Sequence, residues 1–205
     1  MIDLYTWQTS NGHRAAIILE ECGFPYRVHK IDLFKNEQQN PEFLKINPAG
    51  AIPAIVDDDG PGGRPITLSQ SGAIAIYLAE KSGRFIPPDP ARRALALQWL
   101  MFALSDLAPA SSNIFLLSVL APEKSPANLE WFTGRMMRFF RLADARLDGR
   151  EWLADELSIA DLALYPVYAV RKAQLDAAGG LANLHRWGAA LAARPGVAKA
   201  MRAAD

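Results

Sequence analysis

"GAIPAIVDDDGPGGRPITLSQSGAIAIYLAEKSG" occupies residues 50–83 and sets two short apolar segments around a turn, followed by a helical pattern. "PAIVDD" (53–58) and "ITL" (66–68) carry the β-branched residues that favour strands. Between them, "DDGPGGRP" (58–65) crowds glycine and proline into one turn signal, so the two strands form a hairpin. "SQSGAIAIYLAEKSG" (69–83) begins polar and stops at glycine, the pattern of a helix. Ser69 is the expected cap of that helix.

Upstream, residues 2–7 read as a strand. "NGHRAAIILEEC" (11–22) reads as a helix with apolar positions 15, 18, 19 and 22, and "YRVHKIDL" (26–33) alternates as a second strand. A helical or irregular stretch runs through "PEFLKIN" (41–47). The order is β-α-β-α-β-β-α. Strands joined through helices pair in parallel by right-handed crossovers, and the hairpin adds antiparallel pairing.

Downstream the composition changes. Ala occurs 8 times in residues 1–83 and 26 times in 84–205, while Val plus Ile falls from 12 to 7. Ala favours helix and β-branched residues favour strand, so the sheet belongs to the first part and the rest is helical. "SGRFIPPDPARR" (82–93) is the junction. The expected division is 1–82, a linker at 83–89, and an all-helical domain at 90–205. Long helical runs cover 91–120, 126–149 and 158–179, with shorter ones near 180–194 and 195–203. Ser158 and Asp161 stand at capping-box spacing. Pro166, inside the third long run, should bend it or interrupt its hydrogen bonding.

Composition bounds the function. Lys plus Arg and Asp plus Glu are both 22, so no basic field for nucleic acid or polybasic membrane patch is expected. A single cysteine, Cys22, excludes an internal disulfide framework and fits a reducing compartment. The N-terminus has no signal-peptide pattern, and the best apolar run, "IFLLSVLAP" (114–122), is far short of the about 20 residues that span a bilayer. A soluble cytoplasmic protein is expected. His13, read as a surface or capping residue, shows no metal-ligand spacing with His29 or His185, so no metal is expected.

Three stretches can carry chemistry. "TSNG" (9–12) closes strand one and opens helix one with Thr9, Ser10 and Asn11, each able to cap. Pro53 starts a strand. The Ile52–Pro53 bond is an ordinary edge-strand start or a cis bond that turns the Ile52 backbone toward a peptide-like ligand. Gln70 and Ser71 open a helix directly after a strand, where free N–H groups and the dipole favour a ligand carboxylate. In an open α/β sheet all three lie beyond strand ends where ligands bind.

"NPAGAIPAIVDD", "LSQSGAIAIYLAEK" and "LSIADLALYP", in this order, resemble the glutathione transferase family over essentially the whole chain, and the N-terminal stretches resemble its bacterial nu-class branch. The resemblance implies a thioredoxin-like N-terminal domain, an all-helical C-terminal domain and a two-fold homodimer. It implies that Gln70 and Ser71 hold the γ-glutamyl end of glutathione, that Ile52 before a cis Pro53 pairs with its cysteinyl backbone, and that Gln38 meets the glycine end. The sulfur would sit at Thr9 and Asn11, with Ser10 left as the plain cap or a spectator. Tyr5, Ser10, Gln98, Asp106 and Arg135 are secondary candidates. Tyr5 stands near the tyrosine that some classes use. Gln98 or Asp106 could reach the γ-glutamyl amine, and Arg135 is the nearest substitute for an arginine of nu-class chains. Cys22, on the apolar stripe of helix one, is read as structural. The implied activity is reduction of disulfides by glutathione thiolate, with weaker conjugation to electrophiles and no cofactor beyond glutathione. The alternatives are a non-catalytic glutathione-binding or regulatory module and a carrier of hydrophobic ligands.

Overall fold

The structure is a computed structural model that describes Met1–Asp205. The chain divides into two compact units, Met1–Ile86 together with Ala192–Asp205, and Pro87–Leu191.

The first unit is built on a four-stranded sheet of order β2-β1-β3-β4, from β1 (Ile2–Thr6), β2 (Tyr26–Lys30), β3 (Ala54–Asp57) and β4 (Ile66–Ser69). β1 pairs β2 in parallel, and the β1–β3 and β3–β4 pairs are antiparallel. With α1 (Ser10–Cys22), α2 (Pro41–Ile46) and α3 (Ser71–Ser82) this is the thioredoxin-like βαβαββα order. Asp57, at the end of β3, accepts hydrogen bonds from Tyr77 Oη and Lys81 Nζ of α3, each at 2.6 Å, which ties the hairpin to the helix.

α1 is buried far beyond the stripe that its periodicity marks. Ile17, Ala16, Glu21 and His13 are covered as well as Ala15, Ile18, Leu19 and Cys22. The reason is α9 (Pro195–Ala200), which packs on α1 and places residues 192–205 in the first unit rather than with the helices that precede them. Arg194 grips buried Glu21 at 2.6 Å and Lys199 pairs with Glu20 at 2.9 Å. His13 is therefore not a surface residue. It is 9% exposed, buried in the unit where α9 packs on α1.

The second unit holds α4 (Pro90–Met101), α5 (Ala108–Phe115), α6 (Pro126–Arg146), α7 (Ile159–Ala178) and α8 (Ala182–Ala192), whose last residue is assigned to the first unit. α4 and α5 run on through a wide π-type turn at Phe102–Leu107. That turn stands just before Pro109, which has no N–H for the regular ladder. The resulting run Pro90–Leu120 has 31 residues and, by length and composition alone, could cross a membrane, unlike the short 114–122 run read from the sequence. In this fold it packs on α6 and α7. α7 continues past Pro166 as one helix.

α7 starts on the expected capping box. Asp161 is fully buried and accepts from Ser158 N, Ser158 Oγ, Leu153 N and Trp187 Nε1, at 2.9 to 3.1 Å. Burial pushes its carboxyl up to about 6 despite those four donors.

Candidate active site

Strand register explains why the three sequence stretches meet. Tyr5 lies opposite Ala54, and Ala54 lies opposite Ser69. The end of β1, the start of β3 and the end of β4 therefore share one edge of the sheet, and the residues that follow or precede them are neighbours. Thr9 and Asn11, Ile52 and Pro53, and Gln70 and Ser71 gather there. The Ile52–Pro53 peptide is cis.

The β1–α1 turn is capped by Thr9, not by Ser10. Thr9 has extended backbone, and its Oγ1 accepts from Gly12 N at 3.1 Å, which makes Ser10 the first helical residue. Thr9 is thus both cap and candidate donor. The cap uses an oxygen lone pair and leaves the hydroxyl proton for a ligand. Gly12 is required here. A Cβ at this position would lie 2.2 Å from the Trp7 carbonyl oxygen and 2.4 Å from Thr6 Oγ1. The turn can close this tightly only on a glycine.

The start of α3 also departs from expectation. Ser69 ends β4 and caps nothing. Gln70 stands at the cap position with φ 69° and ψ 109°, and no side chain caps the helix. A glutamine in the positive-φ region is strained, and such strain concentrates at functional positions. The first N–H groups of α3 thus receive no bond from the side chain at the cap position.

Two loops complete the edge. Buried Asn47 donates through Nδ2 to the Ala51 carbonyl and accepts from Ala49 N, which shapes the approach to Ile52. Gly50 carries the loop past the turn Glu37–Gln39, where a Cβ would fall 2.6 Å from Gln39 Nε2. Gln38 in that turn donates to Asn36 Oδ1 at 3.0 Å, while its buried Oε1 has no donor.

Arg14 ties the edge together, and the sequence reading did not single it out. It is 1% exposed, and its Nη1 donates to Asn11 Oδ1 and to Ser71 Oγ, both at 2.7 Å. Burial lowers its guanidinium to about 10, so it carries its charge at neutral pH. A signal was available: positions 14, 15, 18 and 22 share one helical face, and a charge on that otherwise apolar stripe needs a partner.

The secondary candidates have partners of their own. Tyr5 stacks on His29 at 4.6 Å and leans on Phe43 of α2. It points to the face of the sheet opposite Leu4 and Thr6, because strand side chains alternate. Burial raises its phenol, with Asp3 adding to the effect, so it is a poor source of a phenolate. Cys22 ends α1, about 16 Å along the helix axis from Asn11 at 1.5 Å per residue. It accepts from Ser82 Oγ at 3.3 Å, and burial pushes its thiol up. Gln98, Asp106 and Arg135 belong to the second unit, where Arg135 Nη2 lies 4.0 Å from Asp106 Oδ1 and the guanidinium sits over the Phe139 ring.

Residues 10–81 match the family described as glutathione S-transferase, N-terminal domain. The chain is 39% identical to the disulfide-bond oxidoreductase YfcG of Escherichia coli (strain K12) over 98% of this chain and 94% of that protein. The chain belongs to the glutathione transferase family. It is also 33% identical to the disulfide-bond oxidoreductase YghU of the same organism, over 96% of this chain and 72% of that one. Among solved structures, it is similar to a glutathione transferase family member from Pseudomonas fluorescens pf-5 with two glutathione bound. The TM-score is 0.91 and the identity 35%, covering 98% and 92% of the two chains. A glutathione transferase from Pseudomonas putida, with one glutathione disulfide bound per subunit, superposes at a TM-score of 0.90 and 34% identity over 98% and 90%.

Proposed function

We propose that this glutathione transferase reduces disulfides with glutathione. One observation carries the reading. The donors converge at the first turns of α1 and α3, while the single thiol of the chain is buried at the far end of α1. The protein has no dithiol of its own, so the reacting sulfur must arrive with the ligand. The similarity to two disulfide-bond oxidoreductases supports this choice of reaction.

Glutathione lies along the sheet edge with its γ-glutamyl carboxylate on the open N-terminus of α3 at Gln70 and Ser71. Its cysteinyl backbone runs beside Ile52 and Pro53, and its glycine end reaches Gln38. Its sulfur faces Thr9 and Asn11. The Thr9 hydroxyl, the Asn11 amide and the positive end of α1 favour the thiolate, which is the nucleophile. The thiolate attacks one sulfur of a disulfide, giving a mixed disulfide with glutathione and releasing the other sulfur as a thiolate that takes a proton from water. A second glutathione thiolate attacks the glutathione sulfur of the mixed disulfide, yielding glutathione disulfide and the second product thiol. Similar structures hold two glutathiones, the number that the overall reduction consumes, or one glutathione disulfide, the product of the last step. The same thiolate conjugates electrophiles as a weaker activity. The protein works as a cytoplasmic homodimer.

The test is calorimetry with glutathione and glutathione disulfide, followed by glutathione-dependent reduction of a small dialkyl disulfide. Thr9→Ala and Asn11→Ala each lower kcat at least about tenfold, the scale of one lost hydrogen bond to a charged group, and Cys22→Ala leaves it near wild type. Loss of turnover in Cys22→Ala with the other two intact would overturn the assignment of the sulfur. Absence of both binding and turnover would leave a non-catalytic module on this fold.

A further inference from the structure

We propose that Arg14 is a positioning residue that sets the polarity of the site: by donating to Asn11 Oδ1 and Ser71 Oγ at once, it forces both side chains to offer only donors to the ligand. The proposal rests on the glutathione reading above.

The argument is one of hydrogen-bond chemistry. A guanidinium has five N–H donors and no acceptor. Any group that it touches must therefore accept. Asn11 is an amide with one oxygen and one NH2, and free in solvent it can turn either toward a ligand. Its oxygen is held by Arg14 Nη1 at 2.7 Å, so the NH2 is turned away from the guanidinium. Asn11 itself is exposed, and its NH2 is the end left to the ligand. Ser71 is a hydroxyl with one proton and two lone pairs. One lone pair is taken by the same Nη1 at 2.7 Å, so its proton is free to point at another acceptor. A thiolate at Asn11 and a carboxylate at Ser71 both need donors. One buried cation meets both needs, and it does so across 57 residues of sequence.

Two further features fit. The guanidinium is almost wholly buried, so its field reaches the site with little screening by water. Its carrier helix is clamped: Gly12 closes the turn onto the end of β1, and His13, the adjacent titratable residue, is buried. Asn11 and Ser71 consequently sit in one arrangement relative to each other, linking the sulfur end of glutathione to its γ-glutamyl end.

The experiment measures the pKa of the bound glutathione thiol, from thiolate ultraviolet absorbance against pH, and the Kd for glutathione, in wild type, Arg14→Gln and Arg14→Lys. Glutamine can accept as well as donate and carries no charge. Arg14→Gln should raise the bound-thiol pKa by about one unit or more, the scale of a lost neighbouring charge. It should also weaken glutathione binding about tenfold, as expected for a lost charge-oriented hydrogen bond. Lysine donates only and keeps the charge, so Arg14→Lys should stay within about half a unit of wild type, below the usual effect of a neighbouring charge. A space-filling role would lower the melting temperature in both variants without moving the thiol. The Arg14→Gln effect on the thiol should largely vanish in an Asn11→Ala background, and full additivity would overturn the proposal. So would an Arg14→Gln protein that binds glutathione with the wild-type thiol pKa. If Arg14→Gln does not fold, Arg14→Lys decides alone, and a rise of about one unit there overturns the proposal. Wild-type protein that binds neither glutathione nor its disulfide brings down the functional reading and this proposal together. Wild type that binds with an unchanged glutamine variant brings down this proposal only.

Discussion

The start of α7 and the start of α3 are both helix N-termini that follow directly on extended chain, and they are built in opposite ways. At α7, Ser158 and Asp161 are fully buried, the capping box is complete, and Asp161 gathers four donors from three parts of the second unit. At α3, the cap position is an exposed glutamine in a strained conformation whose side chain caps nothing, and the one buried polar neighbour, Ser71, is engaged by Arg14. A helix start that the chain satisfies by itself is architecture. One left open and strained, beside an oriented set of donors, is where the proposed function seats the γ-glutamyl carboxylate. α1 stands between the two: Thr9 caps it with a lone pair and still has a proton to give.

The contrast can be broken most severely at α7. Asp161→Ala strands the Trp187 indole N–H and the Leu153 and Ser158 amides in the core. At roughly 1–3 kcal/mol for each orphaned donor, unfolding in urea should show a loss of about 4 kcal/mol or more, with glutathione affinity of the remaining folded protein little changed. A loss below about 1 kcal/mol would mean that the network adds little to stability.

Gln70→Gly sharpens the contrast from the other side. Glycine adopts φ 69° without a Cβ penalty, so stability should rise by up to about 1 kcal/mol while glutathione binding weakens. Thermal melts and calorimetry on one preparation read both. Tighter binding in the glycine variant would remove Gln70 from the site.

The smallest effect is in pH dependence, where the two units should slope in opposite directions. Asp3 of β1 is held down at about 2 by hydrogen bonds from Arg27 and His29. Its folded pKa lies below the unfolded value near 4, so its stabilising contribution is present above about pH 4 and is lost as pH falls toward 2. Asp161 is pushed up to about 6 by burial. Its folded form takes a proton more readily than its unfolded form, so its contribution falls as pH rises from about 4 to 6. Unfolding free energies of Asp3→Asn and Asp161→Asn against pH should each lose one of these slopes, and identical slopes in both variants would contradict the assignments.

Much of this was legible in the sequence. The hairpin at 58–65, the βαβαββα order, the capping box of α7 and the three stretches at the ligand edge all follow from turn chemistry, periodicity and capping, which act within a few residues. The errors were of two kinds. Ser69 does not cap α3, and of the three residues able to cap α1 it is Thr9 that does so, with Ser10 a spectator, because helix starts chosen from residue type alone slip by a position or two. His13 and residues 192–205 were misplaced because nothing in a local pattern shows that α9 returns to cover α1.

From its own residues the sequence determined where strands and helices form, that a hairpin closes the sheet, and that donors crowd the starts of two helices. Those outcomes depend on backbone torsions and side-chain periods that each segment carries with it. Only the tertiary structure decided that Tyr5 turns to His29, that the Cys22 thiol meets Ser82, and that one buried arginine reaches both Asn11 and Ser71. Those outcomes depend on which faces pack together, and burial makes an unpaired charge so costly that Arg14 must find its partners wherever the fold brings them.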